Sequence, residues 1–186
     1  TADDAATAGA GTILVGATTA AAGTVSITHS GKYADGGDNT LTAIASTGGT
    51  TVNITQNAGV TAAQQTAALS DTSNFTTTLG AVTVTGSALT TAVTVNQTKA
   101  LTENDTATTG QVGIANGAVG ITDANAASAT AAGTITTATL ANFGAATINS
   151  GALTTLNLSG SGTSANAGTL GALTTAANAT LALNAD

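Results

Sequence analysis

The chain has 186 residues and a net charge of −7, with nine acidic residues against two lysines and no Arg or Cys. Without cysteine there is neither a disulfide framework nor a thiolate metal site, and without a cationic surface nothing neutralises the phosphates of a nucleic acid or an anionic membrane. No apolar run approaches the roughly 18 residues that a membrane-spanning helix needs, so no span is predicted.

One four-residue phrase recurs along the chain: an apolar residue, a small residue, a second apolar residue, then Thr or Asn. Alternation with a period of two places both apolar side chains on one face of a strand and the small polar ones on the other. Many short strands of one pattern predict a stacked, repetitive β architecture. The copies begin at Val25, Val52, Val82, Val93 and Val119, with looser ones at Leu156 and Leu181.

In chain order, this pattern predicts strands separated by connectors rich in Gly, Ala, Thr and Asn. The run 61–69 is the only one with a helical composition, and the segment 57–79 around it is predicted to be a long loop. No Pro occurs, so the turns depend on Gly, most clearly at Gly48-Gly49 and Gly36-Gly37. The predicted strands are Thr12–Val15, Thr24–Thr28, Thr40–Ile44, Thr50–Thr55, Ala81–Thr85, Ala92–Asn96, Gln111–Ile114, Ala118–Thr122, Thr134–Leu140, Ala146–Ile148, Leu153–Ser159 and Thr180–Asn184.

The spacing of the phrases indicates a solenoid with coils of uneven length. Gaps of 27, 30, 11 and 26 residues separate the second apolar positions, and we interpret those near 27 as one full turn and the 11 as a step to a neighbouring face. A second phrase, Gly-Ala-Leu-Thr-Thr and its variant, predicts a corner directly before a strand. The gaps are counted along Ile27, Ile54, Val84, Val95 and Ile121, and the corner phrases lie at Gly86–Thr91, Gly151–Thr155 and Gly171–Thr175.

Large apolar side chains are scarce, since Leu, Ile, Val and Phe make up 34 of the 186 residues. So few large apolar side chains are enough to fill a solenoid whose interior is about one side-chain layer across. Two sheets packed about 10 Å apart would require larger residues. We therefore predict an all-β solenoid with irregular loops and at most one short helix. The edges of its end strands would be covered if 1–186 were a single segment of a longer repetitive protein.

Acidic and amide side chains gather in predicted turns. Ca²⁺ takes six to eight oxygen ligands, with carboxylates supplied from short loops. Nine carboxylates facing two lysines also require counter-ions. The alternative for each turn is ordinary solvation. The candidate calcium ligands are Asp35, Asp38, Asn39, Glu103, Asp105 and Asp123.

His29, the only histidine, follows a phrase at the position that Gln56, Gln97 and Asp123 occupy after other copies. A lone His without Cys cannot assemble a zinc site within the chain, so we interpret it as a polar corner residue. The sequence contains no Ser/His/Asp spacing with a nucleophile elbow, no Cys nucleophile and no Arg clamp, and its acidic residues are widely spaced along the chain. It therefore predicts a protein that is not an enzyme.

The stretch from Ser87 to Ser164 resembles a known family. The runs TTAVTVNQT at 90–98, NGAVGITDANAASAT at 116–130 and FGAATINSGALTTLNLSGSGTS at 143–164 are similar to the middle of Caulobacter-type paracrystalline surface-layer (S-layer) proteins. These belong to the calcium-binding RTX proteins exported by type I secretion. The resemblance implies a right-handed parallel β-helix in a two-dimensional cell-surface lattice held by Ca²⁺. The RTX nonapeptide has no intact copy here, and 36–41 is the nearest approach to one.

Three functions are compatible with these features. The first is a secreted, self-associating S-layer component, whose attachment to outer-membrane polysaccharide would use regions not present here. The second is the stalk or a glycan-contacting module of a large secreted adhesin. The third is ice binding, for which Thr83/Thr85, Thr76/Thr78 and Thr134/Thr136 have the Thr-x-Thr spacing, although uneven coils argue against a regular array.

Overall fold

The computed structural model describes residues 2–5, 11–32, 39–59, 75–98, 101–104, 111–128, 130–160, 169–174 and 182–185. Within these ranges the protein is all-β and has no helix; the predicted helix at 61–69 and the turn Gly36-Gly37 lie outside them. The strands are β1 Ala2–Ala5, β2 Thr12–Val15, β3 Val25–Lys32, β4 Asn39–Thr40, β5 Ala43–Thr47, β6 Thr51–Gly59, β7 Phe75–Thr78, β8 Val82–Thr85, β9 Ala92–Gln97, β10 Leu101–Asn104, β11 Gln111–Ala115, β12 Val119–Thr122, β13 Thr137–Ala141, β14 Ala145–Asn149, β15 Thr155–Ser159, β16 Thr169–Thr174 and β17 Ala182–Ala185.

These strands form three sheets. Sheet A has the order β1-β3-β6-β9-β13-β15-β17, sheet B the order β16-β14-β12-β8-β5-β2, and sheet C the order β10-β11-β7-β4. Neighbouring strands are parallel, as in the β3–β6 and β8–β12 pairs, with one exception: β10 runs antiparallel to β11 at the edge of sheet C.

The chain visits the sheets in a fixed order, from C to B to A, and we call each such passage a coil. The middle coils, β4-β5-β6, β7-β8-β9 and β11-β12-β13, contribute to all three sheets. The described strands before and after them, β2-β3, β14-β15 and β16-β17, contribute to sheets B and A alone. Parallel strands of successive coils, stacked in separate sheets, make the architecture a parallel β-solenoid, and the predicted fold class is confirmed. Its handedness stays a prediction.

The apolar residues of the recurring phrase form inward columns. Val25, Val52 and Val93 are aligned across sheet A, and Val82 and Val119 across sheet B. Each is at most 6% exposed. The two sheets share one core, which also includes Phe143, between β13 and β14, and Leu153, between β14 and β15. The predicted register, with the apolar positions inward, is therefore correct.

Coil length varies while the strand register is kept. Side-chain hydrogen bonds between neighbouring strands of sheet A show this variation. The bonded residues are 27 apart in the sequence for Ser30 and Asn57, 41 apart for Gln56 and Gln97, and 18 apart for Thr139 and Asn157. The gap of 27 between Ile27 and Ile54 is one coil, and the gap of 11 steps from sheet B to sheet A, as predicted. The gaps of 30 and 26 residues were wrongly interpreted as full turns. Each separates a residue of sheet A from a residue of sheet B.

Two other sequence predictions are wrong in detail. Thr40–Ile44 is not one strand, because Leu41 and Thr42 form a corner between β4 in sheet C and β5 in sheet B. The supposed loop 57–79 begins with the end of β6 and contains β7. Strands β1, β7, β10 and β16 were not predicted, since none carries the recurring phrase.

The corner phrases occupy equivalent places in their first two copies. Gly86–Thr91 and Gly151–Thr154 both connect sheet B to sheet A, as predicted for a corner that precedes a strand. Tight turns close them, with Thr90 N donating to Ser87 O at 3.0 Å and Leu153 N to Ser150 O at 3.2 Å. The third copy differs, because Gly171–Thr174 lies within β16.

Candidate functional site

A buried carboxylate lies at the corner that follows β12. Asp123 is 2% exposed, and its side chain accepts four hydrogen bonds from the protein. Oδ1 accepts from Asn125 N at 3.0 Å, while Oδ2 accepts from Thr134 N at 2.6 Å, Ile135 N at 2.8 Å and Ser150 Oγ at 3.0 Å. Thr134 and Ile135 begin the approach to β13, and Ser150 belongs to the next coil. The carboxylate therefore fixes a corner and joins two coils.

The same contacts keep Asp123 ionised. Burial raises the pKa of this carboxyl, but the backbone N–H groups of Asn125, Ile135 and Thr134 and the Ser150 hydroxyl outweigh burial and hold the pKa below the ordinary 3.8. Three N–H dipoles thus provide the stabilisation that a cation would otherwise supply.

Earlier coils place glycine where this carboxylate stands. Gly48 N donates to Thr85 O, Gly86 N to Thr122 O, and Asp123 N to Asn149 O, all at 2.8–2.9 Å, so the three residues follow one another along a single backbone ladder. All three are buried. Asp123 is the first of these three positions to carry a polar side chain. At this corner the longer connection 124–136 brings in the N–H groups of Thr134 and Ile135, which the side chain binds.

The candidate calcium ligands are distributed as follows. Asp35, Asp38 and Asp105 lie outside the described residues, and for Asn39 and Glu103 only the backbone is described. Asn39 is in β4 and Glu103 in β10, at opposite edges of sheet C and three strand spacings apart, about 14 Å. Asn39 and Glu103 are therefore too far apart to share one ion within a chain. The described residues contain no group of three or more His, Cys, Asp or Glu, so calcium binding stays a prediction.

An internal polar column follows the apolar columns of sheet A. His29, Gln56 and Gln97 are aligned in β3, β6 and β9, and each is at most 1% exposed. Gln97 Nε2 donates to Gln56 Oε1 at 2.7 Å, which links two coils through the interior. The sequence grouping of these three residues was correct, but the prediction that His29 is a corner residue was wrong, because His29 lies within β3. Asp123 does not belong to the group, since it follows β12 of sheet B. Their inward direction could have been predicted, since alternation from Val25 through Ile27 reaches His29.

The described outward side chains of sheets A and B are mostly small and uncharged and lie in straight columns, with Leu14 of β2, 61% exposed, as an exception. Asp123 is the only acidic residue whose side chain the structure describes, and it points inward. Sheet A presents mainly hydroxyl and amide groups, and sheet B mainly methyl and hydroxyl groups. The outward residues include Ser26, Thr28, Asn53, Thr55, Thr94, Asn96, Thr139 and Asn157 in sheet A, and Ala43, Ala45, Ala81, Thr83, Thr85, Ala118, Gly120, Thr122, Ala145 and Thr147 in sheet B.

Neighbouring coils are also joined on the outside. Asn157 Nδ2 donates to Thr139 Oγ1 at 3.1 Å, and Asn184 Nδ2 to Asn157 Oδ1 at 2.7 Å. At the entrance to sheet A, the hydroxyls of Thr136 and Thr154 donate to the carbonyl of the preceding coil at 3.2 and 3.3 Å. Thr and Asn side chains therefore help to hold neighbouring coils together through these repeated polar contacts.

The three Thr-x-Thr pairs do not form one array. Thr83/Thr85 lies in sheet B and Thr76/Thr78 in sheet C, while Thr134/Thr136 precedes β13. An ice-binding surface needs such pairs repeated in register on one face, and the position next to Thr83 in β12 is Gly120.

Neither a scan against models of protein families nor a search of curated proteins found a match to this chain. Within the described ranges, no helix is long and apolar enough to cross a membrane.

Proposed function

We propose that this protein is a structural, self-associating component of a secreted, calcium-dependent surface layer. One observation carries the proposal: the outward side chains that the structure describes in sheets A and B are mostly small and uncharged, while the described acidic side chain, Asp123, is used inside the fold. Such a rod offers flat sides for packing against copies of itself. The resemblance of 87–164 to Caulobacter-type S-layer proteins of the RTX class, exported by type I secretion, supports the same function.

Calcium is proposed to act between copies. With a net charge of −7, like chains repel one another, although salt screens this repulsion beyond about 8–10 Å. Ions held at the turn of Asp35, Asp38 and Asn39 and at the turn of Glu103 and Asp105 would neutralise the closest carboxylates. Because Asn39 in β4 and Glu103 in β10 lie at opposite edges of sheet C, ions bound beside them would reach different neighbours. Attachment to outer-membrane polysaccharide would be made elsewhere.

A second candidate is the stalk or a glycan-contacting module of an adhesin. The amide and hydroxyl rows of sheet A favour it, since they can hydrogen-bond a neutral glycan. We prefer the surface-layer function because the resemblance of 87–164 supports it as well.

The proposal is tested by assembly with and without calcium. We expect ordered sheets by electron microscopy in millimolar Ca²⁺ and dispersal by a chelator. The paired variants Asp35→Asn/Asp38→Asn and Glu103→Gln/Asp105→Asn should each require more Ca²⁺. The control Asp71→Asn/Asp186→Asn, an equal loss of two carboxylates outside both turns, should behave as the wild type. Protein that stays monomeric at high concentration with Ca²⁺ would overturn the proposal, and glycan-array binding by that monomer would establish the adhesin function.

A further inference from the structure

A buried acceptor inside the solenoid has no donor in the protein. Gln97 is 1% exposed, and its side-chain oxygen Oε1 receives no hydrogen bond from any residue that the structure describes. An amide oxygen carries no hydrogen and only accepts, so the donor must come from another group. Buried polar atoms are rarely left unpaired, because each unpaired atom costs free energy.

Gln97 belongs to a polar layer between two apolar cores. The inward residues of β6 show the order of these layers: Ile54 is in the core shared by sheets A and B, Gln56 follows, and Ala58 packs on a smaller core. The smaller core consists of Leu41, Leu79 and Ile114. Since Gln56 and Gln97 are aligned in β6 and β9, their two amides lie between the cores.

Main-chain carbonyls fix the orientation of both amides. Gln56 Nε2 donates to Thr42 O at 3.5 Å, and Gln97 Nε2 donates to Gln56 Oε1 at 2.7 Å and to Gly80 O at 3.5 Å. Turning either amide over would place its oxygen beside a carbonyl oxygen, and two acceptors repel one another. Gln97 Oε1 therefore cannot be satisfied by reversing the amide column.

The next coil does not extend the amide column. Asn142, the residue after β13, donates from Nδ2 to the main-chain oxygen of Gln97 at 2.9 Å, and not to its side chain. Asn116 of the same coil donates from Nδ2 to Thr98 O at 2.7 Å. The side-chain column thus stops at Gln97, while an amide nitrogen with a second hydrogen is held against the backbone of that residue.

We propose that a water molecule binds inside the solenoid at Gln97 Oε1 and joins the coil of β7-β8-β9 to the coil of β11-β12-β13. The water donates to Oε1. The groups held around Gln97, namely Gly80 O and the second N–H of Asn142, supply its further bonds, as a buried water requires two to four polar partners. This inference does not depend on the surface-layer function.

The chemistry of the layer favours a neutral ligand over a cation. The described groups around Gln97 are amides and main-chain carbonyls, and the described carboxylate, Asp123, accepts its hydrogen bonds at another corner. A cation in this layer would be a buried charge without a counter-charge, which is costly. A water supplies the donor that Oε1 needs and brings no charge.

Ser46 shows that an unpaired atom alone does not make a water site. Its Oγ also has no hydrogen-bond partner, and the residue is 1% exposed, as Gln97 is. Ser46 is aligned between Val15 and Val84 in the inward column of sheet B, however, and both valines pack in the apolar core. A water there would lack further polar partners, so we expect that position to be dry.

Oxygen-17 magnetic relaxation dispersion, which counts long-lived bound waters, tests the site in solution. We expect one water fewer in Gln97→Met, whose side chain has a similar length but no amide, and no change in the matched control Ser46→Ala. Circular dichroism checks that both variants are folded. Equal counts in the wild type and Gln97→Met would overturn the inference, as would the loss of a water in Ser46→Ala with none lost in Gln97→Met.

A crystal structure of the wild-type chain identifies the bound species and does not depend on either variant folding. We expect a water oxygen at about 2.5–3.0 Å from Gln97 Oε1. A protein donor at Oε1, or an ion surrounded by six or more oxygens at about 2.3–2.6 Å, would contradict the proposal.

Discussion

The hydroxyl of Ser150 donates to the carboxylate of Asp123 at 3.0 Å, and this contact joins consecutive coils at a corner buried from solvent. Asp123 meanwhile holds the N–H groups of Thr134 and Ile135, which precede β13. A single side chain thus determines how the chain turns from sheet B to sheet A and how the next coil stacks on that turn.

Asp123→Asn should destabilise the fold by about 2–4 kcal/mol, because the amide removes the charge and directs its NH₂ group at a backbone donor. Ser150→Ala, which removes one bond, should cost about 1 kcal/mol. Urea unfolding of both single variants and the double variant measures their coupling. Strictly additive effects would contradict the assignment of the two residues to one network.

The lowered pKa of Asp123 predicts acid-sensitive stability. Because the folded pKa lies below the ordinary 3.8, the unfolded chain takes up the proton first as the pH falls. The stabilisation is therefore fully present above about pH 5 and is lost as the pH falls through the folded value. Unfolding midpoints at pH 7, 5 and 3 should show a steeper acid loss for the wild type than for Asp123→Asn, and equal slopes would contradict this account.

Ile54→Lys should destabilise the protein by about 4 kcal/mol or more, since Ile54 is 1% exposed between Ile27 and Val95 and the substitution buries an unpaired charge. Asn53→Lys, one residue away on the outward side of the same strand, should change stability by about 0.5 kcal/mol or less. Thermal unfolding compares the pair. Similar losses in both would mean that the register of β6 is wrong.

Gly117→Ala should cost about 1–3 kcal/mol, because a Cβ there would overlap the carbonyl oxygens of Leu79 and Gly80 in the preceding coil. Gly120→Ala in β12 is the matched control, as its Cβ would meet only Thr147 Oγ1, at 3.8 Å. Denaturant midpoints of the two variants should differ clearly. Equal stability would show that the corner can widen without cost.

The recurring phrase was sufficient to predict the class of fold. Strict alternation at residues such as Val52 and Ile54 specifies which face is buried, since side chains on a strand alternate regardless of what lies beyond it. The Gly48-Gly49 turn was also predictable, and both residues have the positive φ, 84° and 94°, that glycine tolerates. These properties are local, so the amino-acid sequence by itself determined them.

Only the tertiary structure decided which strands are neighbours and what Asp123 does. The phrases starting at Val82 and Val93 are close in sequence and alike in pattern, yet they belong to different sheets, because the corner at Gly86–Thr91 redirects the chain. Asp123 and Ser150 are 27 residues apart, whereas the equivalent contact of Gln56 with Gln97 spans 41 residues, so no fixed period identifies the residues that meet between coils. A carboxylate among turn residues suggested a cation ligand, whereas the fold supplies Asp123 with backbone donors from a segment that reaches it only when the coils have stacked.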